Sequence, residues 1–530
     1  MSRLGEAAAI SAKGSFITFV GSSLSLLLSA GGGILVARLL SPSDFGLFGV
    51  ALIAPGLFSL FSDWGISSAL TRFTARYRSE GRHREARELV RGGFVFKLAL
   101  GGALSVALFL SADWAAAVLI RRPEAGGLLR MISPLILSQS IFSTVLSVLA
   151  GSEMMDRRAV VVLSQAAVKG FCSPLLVYLG LGVSGAVMGY VLSYAVAASI
   201  GLLLTFSSVR GGDMPSRDAS TFTDGMSLML GFGFPLFLGS LIGGLIGQLQ
   251  GLLVAWFVSN EEIGNYNVSL RFLSLVGLVT GSIGVTLFPA FSKFSYVDEP
   301  VKAREAFRGS VRYSTMMVTP FAALLAVLSG PIVYTLFTDQ YPQAPVFSSL
   351  LMIPMLLVGM GFLSIDSFIN SQGDTETNFK LGLAVNLLSL LHFPVLIWIW
   401  GIRGLLVSGI VSGLTGNLLG LYVVRRKYGV RLDLPHMGKT LICSAVSAGL
   451  AYGAAGLLPS SMHLLNLFMG SAVFVAAYVV IAPFTGAVEE LDIENLDRVI
   501  RELKIVYPLV RPLLILEETI IAHTRKRKEI

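Results

Sequence analysis

The chain has 530 residues, of which 54% are hydrophobic and only 14% are charged, and its mean hydropathy is +0.75. A typical soluble domain carries about 25% charged residues, so this composition excludes a cytoplasmic enzyme, a disordered protein and a secreted disulfide scaffold. The formal net charge is nonetheless +8. The location of the Lys and Arg residues relative to the apolar segments therefore decides what this charge means.

Apolar segments long enough to cross a bilayer recur along the whole chain. A transmembrane helix needs about 20 mostly apolar residues. Fourteen segments qualify: 15–37, 46–66, 92–111, 131–150, 159–180, 183–205, 228–257, 266–289, 313–336, 345–370, 380–400, 402–424, 439–459 and 462–484. The sequence therefore predicts an all-α polytopic membrane protein with about fourteen transmembrane helices.

The Lys and Arg residues are divided unequally between the two sides of these segments. If the N-terminus is cytoplasmic, 32 of the 40 lie in inner segments and five in outer segments, while Lys97, Lys169 and Arg271 lie inside spans. Because cytoplasmic loops are enriched in Lys and Arg, this bias predicts a multi-pass protein of the cell membrane with both termini in the cytoplasm. The net charge then reflects topology and gives no reason to expect a nucleic-acid partner.

The two halves of the chain resemble each other at an offset of 218. Residues 34–52 and 252–270 are identical at seven of 19 positions, including Gly46 and Gly264, and shorter matches at offsets of 217 and 219 follow in the same order. Parallel repeats of this kind are related by an axis along the membrane normal. The predicted organisation is therefore a six-helix lobe over 1–210, a second over 211–430 around a central cleft, helices 13 and 14 over 431–484, and a cytoplasmic amphipathic basic tail over 485–530.

Motifs for catalysis or metal binding are missing from the sequence. It contains no GxxxxGK[ST] phosphate loop, no HExxH and no CxxC, its five histidines are scattered, and Cys172 and Cys443 lie in apolar runs. We therefore expect no catalytic residues, no metal and no cofactor, and we expect a transporter that is not an enzyme.

Several stretches have a familiar order and spacing: ARLLSPSDFGLFGVA, SDWGISSALTRFTAR, GFGFPLFLGSLIGGLIGQLQGLLVAWFVSNEEIGNYNVSLRF, TLFPAFSKF and LFTDQYPQAPVFSSLLMIP. Over most of 14–422 the chain resembles the polysaccharide biosynthesis (oligosaccharide flippase) family of the multidrug/oligosaccharidyl-lipid/polysaccharide exporter superfamily. The resemblance implies two six-helix lobes, often with two added helices. The sequence departs from the family pattern at Gln250-Gly251, where family members often have an acidic–basic pair.

The function implied by this resemblance is the flipping of a saccharide linked to polyprenyl phosphate or pyrophosphate from the inner to the outer leaflet, by alternating access. Its partners would be membrane lipids, the lipid-linked saccharide and possible glycosyltransferases or a polymerase of the same pathway. A cation-coupled small-molecule or drug exporter of the superfamily is an alternative, although the first helix lacks the expected carboxylate. A non-transporting membrane scaffold of a glycan-assembly complex is another.

Cations inside the bilayer are costly and are therefore functional candidates. Lys169 lies in the middle of its span and is either a cation of the substrate cleft or part of a structural ion pair. Lys97 and Arg271 lie nearer to the ends of their spans, so they could line the cleft or extend to the interface. Arg38, at the outer end of the first span, is either a cleft residue or an interface anchor.

Uncharged and acidic residues complete the set of candidates. Gln248 and Gln250 could bind sugar hydroxyl groups or a neighbouring helix. Asp63 and Asp366 could pair with a cation or gate the cleft, although Asp63 in SDWG could also be a turn or cap residue. Four glycines at a spacing of four residues predict a helix-packing stripe: Gly239, Gly243, Gly247 and Gly251.

Overall fold

A computed structural model describes residues 3–209, 219–459, 461–501 and 507–528, apart from some side chains within these ranges. The described residues form helices joined by short turns and contain no β-strand. Their contacts divide the chain into two compact units, Met1–Asn267 and Val268–Ile530. The protein is thus an all-α membrane protein, as the composition predicts.

The first unit begins with a long helix and continues through ten more. They are α1 (Arg3–Leu39), α2 (Pro42–Ala51), α3 (Ile53–Leu60), α4 (Ile66–Ser79), α5 (His83–Leu110), α6 (Ala112–Trp114), α7 (Gly126–Ile132), α8 (Pro134–Gly151), α9 (Met155–Leu176), α10 (Gly182–Val209) and α11 (Ala219–Phe257). Ser41 caps α2, since its side chain accepts a hydrogen bond from the Asp44 backbone N–H at 3.1 Å and Pro42 occupies the first helical position.

The second unit begins within α12 (Asn260–Ser292). Its remaining helices are α13 (Pro300–Val327), α14 (Ser329–Phe337), α15 (Ala344–Leu356), α16 (Ile365–Ser371), α17 (Thr375–Tyr428), α18 (Leu434–Gly456), α19 (His463–Thr485), α20 (Glu490–Arg501) and α21 (Tyr507–Lys528). Phe291, Phe307 and Phe368 lie at the centre of one of its apolar clusters, with ring centroids 5.1 to 6.3 Å apart.

Nine helices of the described residues are long and apolar enough to cross a membrane, or ten if the bent pair α15–α16 is one span. Two of these nine exceed 50 residues, which is more than twice what one crossing needs. Each of the two contains a break at glycines with positive φ, a conformation that glycine adopts at no steric cost. The breaks are at Gly180 (φ 90°) and Gly182 (φ 52°) in one, and at Gly401 (φ 57°) in the other.

Both broken helices fold back on themselves. Arg157, near the start of α9, donates a hydrogen bond to the Leu204 carbonyl near the end of α10. At the two ends of α17, the Asp374 carboxylate accepts hydrogen bonds from Lys427 and Tyr428. Burial alone would raise the pKa of Asp374, but hydrogen bonds including those from Lys427 and Tyr428 lower it to about 2. The two halves of each broken helix therefore run antiparallel to each other.

Each of the fourteen predicted spans lies over helical residues, although the spans 46–66, 131–150, 313–336 and 345–370 each extend over two or more consecutive helices. The count of fourteen crossings stays a prediction, because length and composition alone select nine or ten helices. The predicted lobe boundary between residues 210 and 211 lies outside the described residues. The contacts place α11 in the first unit, whereas the repeat assigns it to the second lobe.

The predicted glycine stripe on α11 has few close neighbours among the residues that the structure describes. Among the described residues, no heavy atom lies within 4 Å of a Cβ built on Gly239, Gly243 or Gly247, and the nearest atom to one on Gly251 is 3.6 Å away, on Ile53. The helix-packing role of these glycines therefore stays a prediction. Their spacing places them on one face, but it does not determine whether a neighbouring helix covers that face.

The C-terminal tail packs on the second unit. Arg312 of α13 donates two hydrogen bonds to the Asp492 carboxylate, at 3.1 and 2.6 Å, and also forms an ion pair with Glu489 at 2.8 Å. Ile493 and Leu514 are buried in the same apolar cluster as Cys443 of α18. Part of the predicted amphipathic tail thus packs on helices of its own chain, while Leu491, Ile515 and Leu516 remain exposed.

Candidate functional site

A buried ion pair in the first unit is the centre of the candidate site. Asp63 lies in the turn between α3 and α4, where Trp64 and Gly65 both have positive φ, 47° and 77°. A Cβ on Gly65 would collide with the carbonyl oxygen of Gly233 in α11, so only glycine fits this close approach. The Trp64 ring packs edge-to-face on Phe96 and Phe234 and fixes the turn.

The Asp63 carboxylate accepts three hydrogen bonds through one oxygen atom, Oδ1. The Ser67 backbone N–H donates at 3.2 Å, the Ser67 hydroxyl at 2.5 Å and the Lys97 ammonium at 2.5 Å. The Lys97 side chain is 1% exposed and the Asp63 side chain is 37% exposed. The Lys97 side chain is therefore buried within the protein and points to its counter-ion, Asp63.

Asp63 combines two roles that the sequence left as alternatives. It caps α4 through the backbone N–H of Ser67 and it pairs with Lys97 on α5. Ser140 of α8 donates a hydrogen bond to the Lys97 carbonyl oxygen at 3.1 Å. The pair is thus held between three helices, and an uncompensated charge would remain if either partner were removed.

A row of polar contacts continues from Asp63 along one face of α3. The Ser59 hydroxyl contacts Gln139 Oε1 of α8 at 3.3 Å. A Cβ built on Gly56 would lie 2.7 Å from Gln248 Nε2 of α11, so the Gln248 amide lies directly beside α3. Gly56 and Ser59 are three residues apart on one face of α3, and Asp63 follows in the turn after this helix. Side chains that can bind hydroxyl or anionic groups therefore line this face of α3.

Ser59 and Gln139 were not among the residues predicted from the sequence. Ser59 has a detectable signal, because it lies four residues before Asp63 in an otherwise apolar segment. Gln139 lies in a separate span, and its position beside Ser59 depends on how α3 and α8 pack.

Lys169 lies elsewhere in the first unit. Its ammonium group is 4.6 Å from the centroid of the Tyr190 ring on α10, a distance typical of a cation–π interaction. Tyr190 also packs on Phe48 and Tyr194. Lys169 is half-buried, so an aromatic cluster holds the cation that the sequence places deepest in the membrane.

The remaining predicted residues do not join the ion pair into one cluster. Arg38 is exposed in the last turn of α1, and Gln250 is half-buried on α11. Arg271 is half-buried on α12, and Asp366 is exposed in the first turn of α16, both in the second unit. Their roles stay predictions. Among the described residues, no group of three or more His, Cys, Asp or Glu side chains could hold a metal ion.

Residues 35–345 match the model of a family described as polysaccharide biosynthesis protein. This range contains α2 to α14, and so includes the turn at Asp63, the Lys97 helix and Lys169.

Curated proteins with similar sequences include three transport proteins. The succinoglycan biosynthesis transport protein ExoT of Rhizobium meliloti is 26% identical over 58% of this chain. A probable low-salt glycan biosynthesis flippase of Haloferax volcanii is 19% identical over 48%, and a probable lipid II flippase of Bdellovibrio bacteriovorus is 26% identical over 49%. The matched stretches cover 59%, 56% and 52% of these relatives, so the similarity spans little more than half of their lengths.

Solved structures show the same fold at low sequence identity. A lipid II flippase, MurJ, in an inward closed conformation aligns with 88% of this chain and 99% of its own, with a TM-score of 0.66 and 14% identity. A multidrug resistance transporter of the MATE family in an inward-facing conformation aligns with 76% of this chain and 94% of its own, with a TM-score of 0.60 and 17% identity. At these identities the likeness concerns the fold.

Proposed function

The chain belongs to the polysaccharide biosynthesis protein family, and from this we propose that it flips a saccharide linked to a polyprenyl phosphate or pyrophosphate from the inner to the outer leaflet. Alternating access of two lobes around a cleft is the proposed mechanism. The protein would act in the cell membrane with both termini in the cytoplasm, alongside glycosyltransferases or a polymerase that make and use the lipid-linked saccharide. Its role in this proposal is transport without catalysis.

The observation that carries the proposal is the buried pair of Lys97 and Asp63 among membrane helices. A lysine is retained in such a place at a considerable energetic cost, which is typical of a residue on a transport path. The pair can open without leaving Asp63 unbonded, because Ser67 donates two hydrogen bonds to the same carboxylate. Lys97 would then be able to bind the phosphate of the incoming substrate.

The polar face of α3 suits the rest of such a substrate. Ser59, Gln139 and Gln248 offer hydroxyl and amide groups, which can both donate and accept hydrogen bonds with sugar hydroxyls. An anion moving outward gains about 2.3 kcal/mol per charge for each 100 mV of inside-negative potential. The membrane potential could therefore drive the flipping without ATP.

The test uses purified protein in liposomes and a fluorescent disaccharide linked to polyprenyl pyrophosphate. Dithionite added outside quenches only the fluorophores in the outer leaflet, so flipping changes the quenched fraction. We expect the wild-type protein to flip this lipid and Lys97→Met to lower the initial rate at least tenfold. Lys302→Met is the matched control, because Lys302 is an exposed lysine whose side chain is 59% exposed.

Three other outcomes would contradict the proposed substrate, the transport activity or the role of Lys97. If the wild-type protein leaves the lipid in its leaflet but transports small organic cations, the protein is an exporter of another substrate class. If it moves neither, a scaffold role replaces transport. If Lys97→Met flips at the wild-type rate, the ion pair is structural and the cation that receives the phosphate lies elsewhere.

A further inference from the structure

The two helices of the C-terminal tail carry opposite net charges. In α20 four acidic residues stand against two basic ones, whereas α21 has five basic residues and two acidic ones. Four of these five form the run Arg525-Lys526-Arg527-Lys528 at the end of α21. The acidic helix has a counter-ion within the protein, because Asp492 of α20 pairs with Arg312 of α13. The tail therefore consists of an acidic helix bound to its own chain and a basic helix that suits an anionic partner.

One face of α21 packs on the protein, and the apolar face beside it is exposed. Leu514 and Glu517 lie three residues apart on the packed face and are 6% and 7% exposed. Leu513 and Leu516 each precede one of these residues, so they lie about 100° round the helix from it. They are 36% and 45% exposed, and Ile515 is 49% exposed. The apolar surface of α21 is therefore wider than the surface that the protein covers.

α21 lies beside the end of a membrane-spanning helix. Leu514 belongs to the same buried cluster as Ala482, which lies three residues before α19 ends at Thr485, and Ile521 packs against this cluster. α19 is one of the helices that are long and apolar enough to cross a membrane. The charge bias predicts that α19 ends on the cytoplasmic side. With this orientation, α21 lies at the inner surface of the bilayer.

From these observations we infer that α21 binds the inner leaflet of the membrane through anionic lipid headgroups. Leu513 and Leu516 enter the boundary between headgroups and acyl chains, and the basic run at 525–528 contacts the headgroups. A helix that combines an apolar face with Lys and Arg residues is typical of the membrane interface, and anionic lipids of the cytoplasmic leaflet attract basic segments next to membrane spans. The inference rests on the predicted orientation and is independent of the transported substrate.

Fluorescence quenching in lipid nanodiscs tests the inference on the full chain. An environment-sensitive fluorophore is attached to Leu516→Cys after Cys172→Ser and Cys443→Ser, and the nanodiscs contain lipids with a nitroxide quencher near the top of the acyl chain. We expect at least twofold more quenching with about 30% phosphatidylglycerol than with phosphatidylcholine alone. In 1 M NaCl, where the Debye length is about 3 Å, this difference should disappear. A fluorophore on Glu494→Cys, at an exposed position of α20, should be quenched weakly in both lipids.

Charge variants identify the residues that bind the lipid. Replacing all four basic residues of the run at 525–528 with Gln should lower the quenching at position 516 to its value in phosphatidylcholine. Arg498→Gln with Arg501→Gln, on the exposed side of α20, is the control and should leave the quenching unchanged.

Three results would overturn the inference. Quenching at position 516 as weak as at position 494 would mean that α21 faces water or a protein partner. Equal quenching in neutral and anionic nanodiscs would mean that the headgroup charge is not recognised. An equal loss in the α20 control would mean that the charge of the whole tail acts, and not that of α21. None of these measurements requires transport, so the outcome is separate from that of the flipping assay.

Discussion

Lys97 and Asp63 form an ion pair of 2.5 Å whose partners are unequally buried, with 1% of the Lys97 side chain and 37% of the Asp63 side chain exposed. Removing one partner or the other therefore costs different amounts of stability. Without Asp63, the Lys97 ammonium would be buried with no counter-ion. Without Lys97, the Asp63 carboxylate would remain partly exposed and bonded to Ser67.

We therefore predict that Asp63→Asn destabilises the purified protein more than Lys97→Met. Leaving a buried charge without its partner costs about 3 kcal/mol or more, whereas loss of one hydrogen bond to a satisfied carboxylate costs about 1 kcal/mol. Thermal unfolding in detergent measures both, and the double variant should unfold close to the wild-type temperature. If the two single variants lost the same amount of stability, the partial exposure of Asp63 would not stabilise its unpaired charge.

Lys169 gives a prediction about transport. Its ammonium group lies 4.6 Å from the Tyr190 ring centroid, and a half-buried cation at that depth is a second candidate to bind the phosphate. In a glycan-export complementation assay, Lys169→Ala should abolish export while membrane levels stay normal, and Lys169→Arg should retain part of it. Full export by Lys169→Ala would exclude Lys169 as a cation of the substrate path.

The sequence predicts the helices of this protein better than their contacts. Runs of about 20 apolar residues identify spans, since only a helix satisfies its backbone hydrogen bonds within lipid. Asp63 and Lys97 were each recognised as candidates, but they lie 34 residues apart on different elements. Only the packing of α4 and α5 brings them together. The helix-packing role of Gly239 stays a prediction for the same reason, because residue spacing defines a helix face but does not determine which neighbour covers it.

The repeat gives a second example. Sequence identity at Gly46 and Gly264 indicates that two turns have the same local structure. Nothing in the alignment of the halves indicates that these turns touch. In the folded chain, a Cβ on Gly46 would collide with the Asn260 carbonyl oxygen and one on Gly264 with the Pro42 carbonyl oxygen. This contact explains why glycine occurs at both positions.

The tail provides a prediction about local stability. Asp492 is 2% exposed and accepts both hydrogen bonds from Arg312, whose side chain is 25% exposed. Asp492→Asn removes the negative charge, and we expect α20 to detach more often because the cost is about 1–3 kcal/mol. Limited trypsin digestion should cleave after Arg498 or Arg501 several-fold faster. Glu494→Gln is the control because Glu494 is exposed on the same helix, and equal cleavage of both variants would mean that apolar packing alone holds the tail.

Glu517 makes the docking of the tail depend on pH. Its residue is 7% exposed on α21, and burial raises the pKa of its carboxyl from 4.5 to about 7. The folded state therefore holds a proton that the unfolded state has released between these two values. Stability is complete below pH 4.5, falls as the pH rises towards 7 and stays lower above it. The full loss is about 3 kcal/mol, or less if α21 detaches locally.

Glu517→Gln removes the group that titrates while retaining its shape and its ability to donate a hydrogen bond. We predict that this variant has nearly the same unfolding temperature at pH 5 as at pH 8, whereas the wild-type protein is less stable at pH 8. Glu518→Gln, at an exposed neighbouring position, should leave the wild-type pH dependence intact. Thermal unfolding and tryptic cleavage of the tail across this pH range measure the effect. An identical pH dependence in the Glu517→Gln and wild-type proteins would show that Glu517 is ionised within the folded tail.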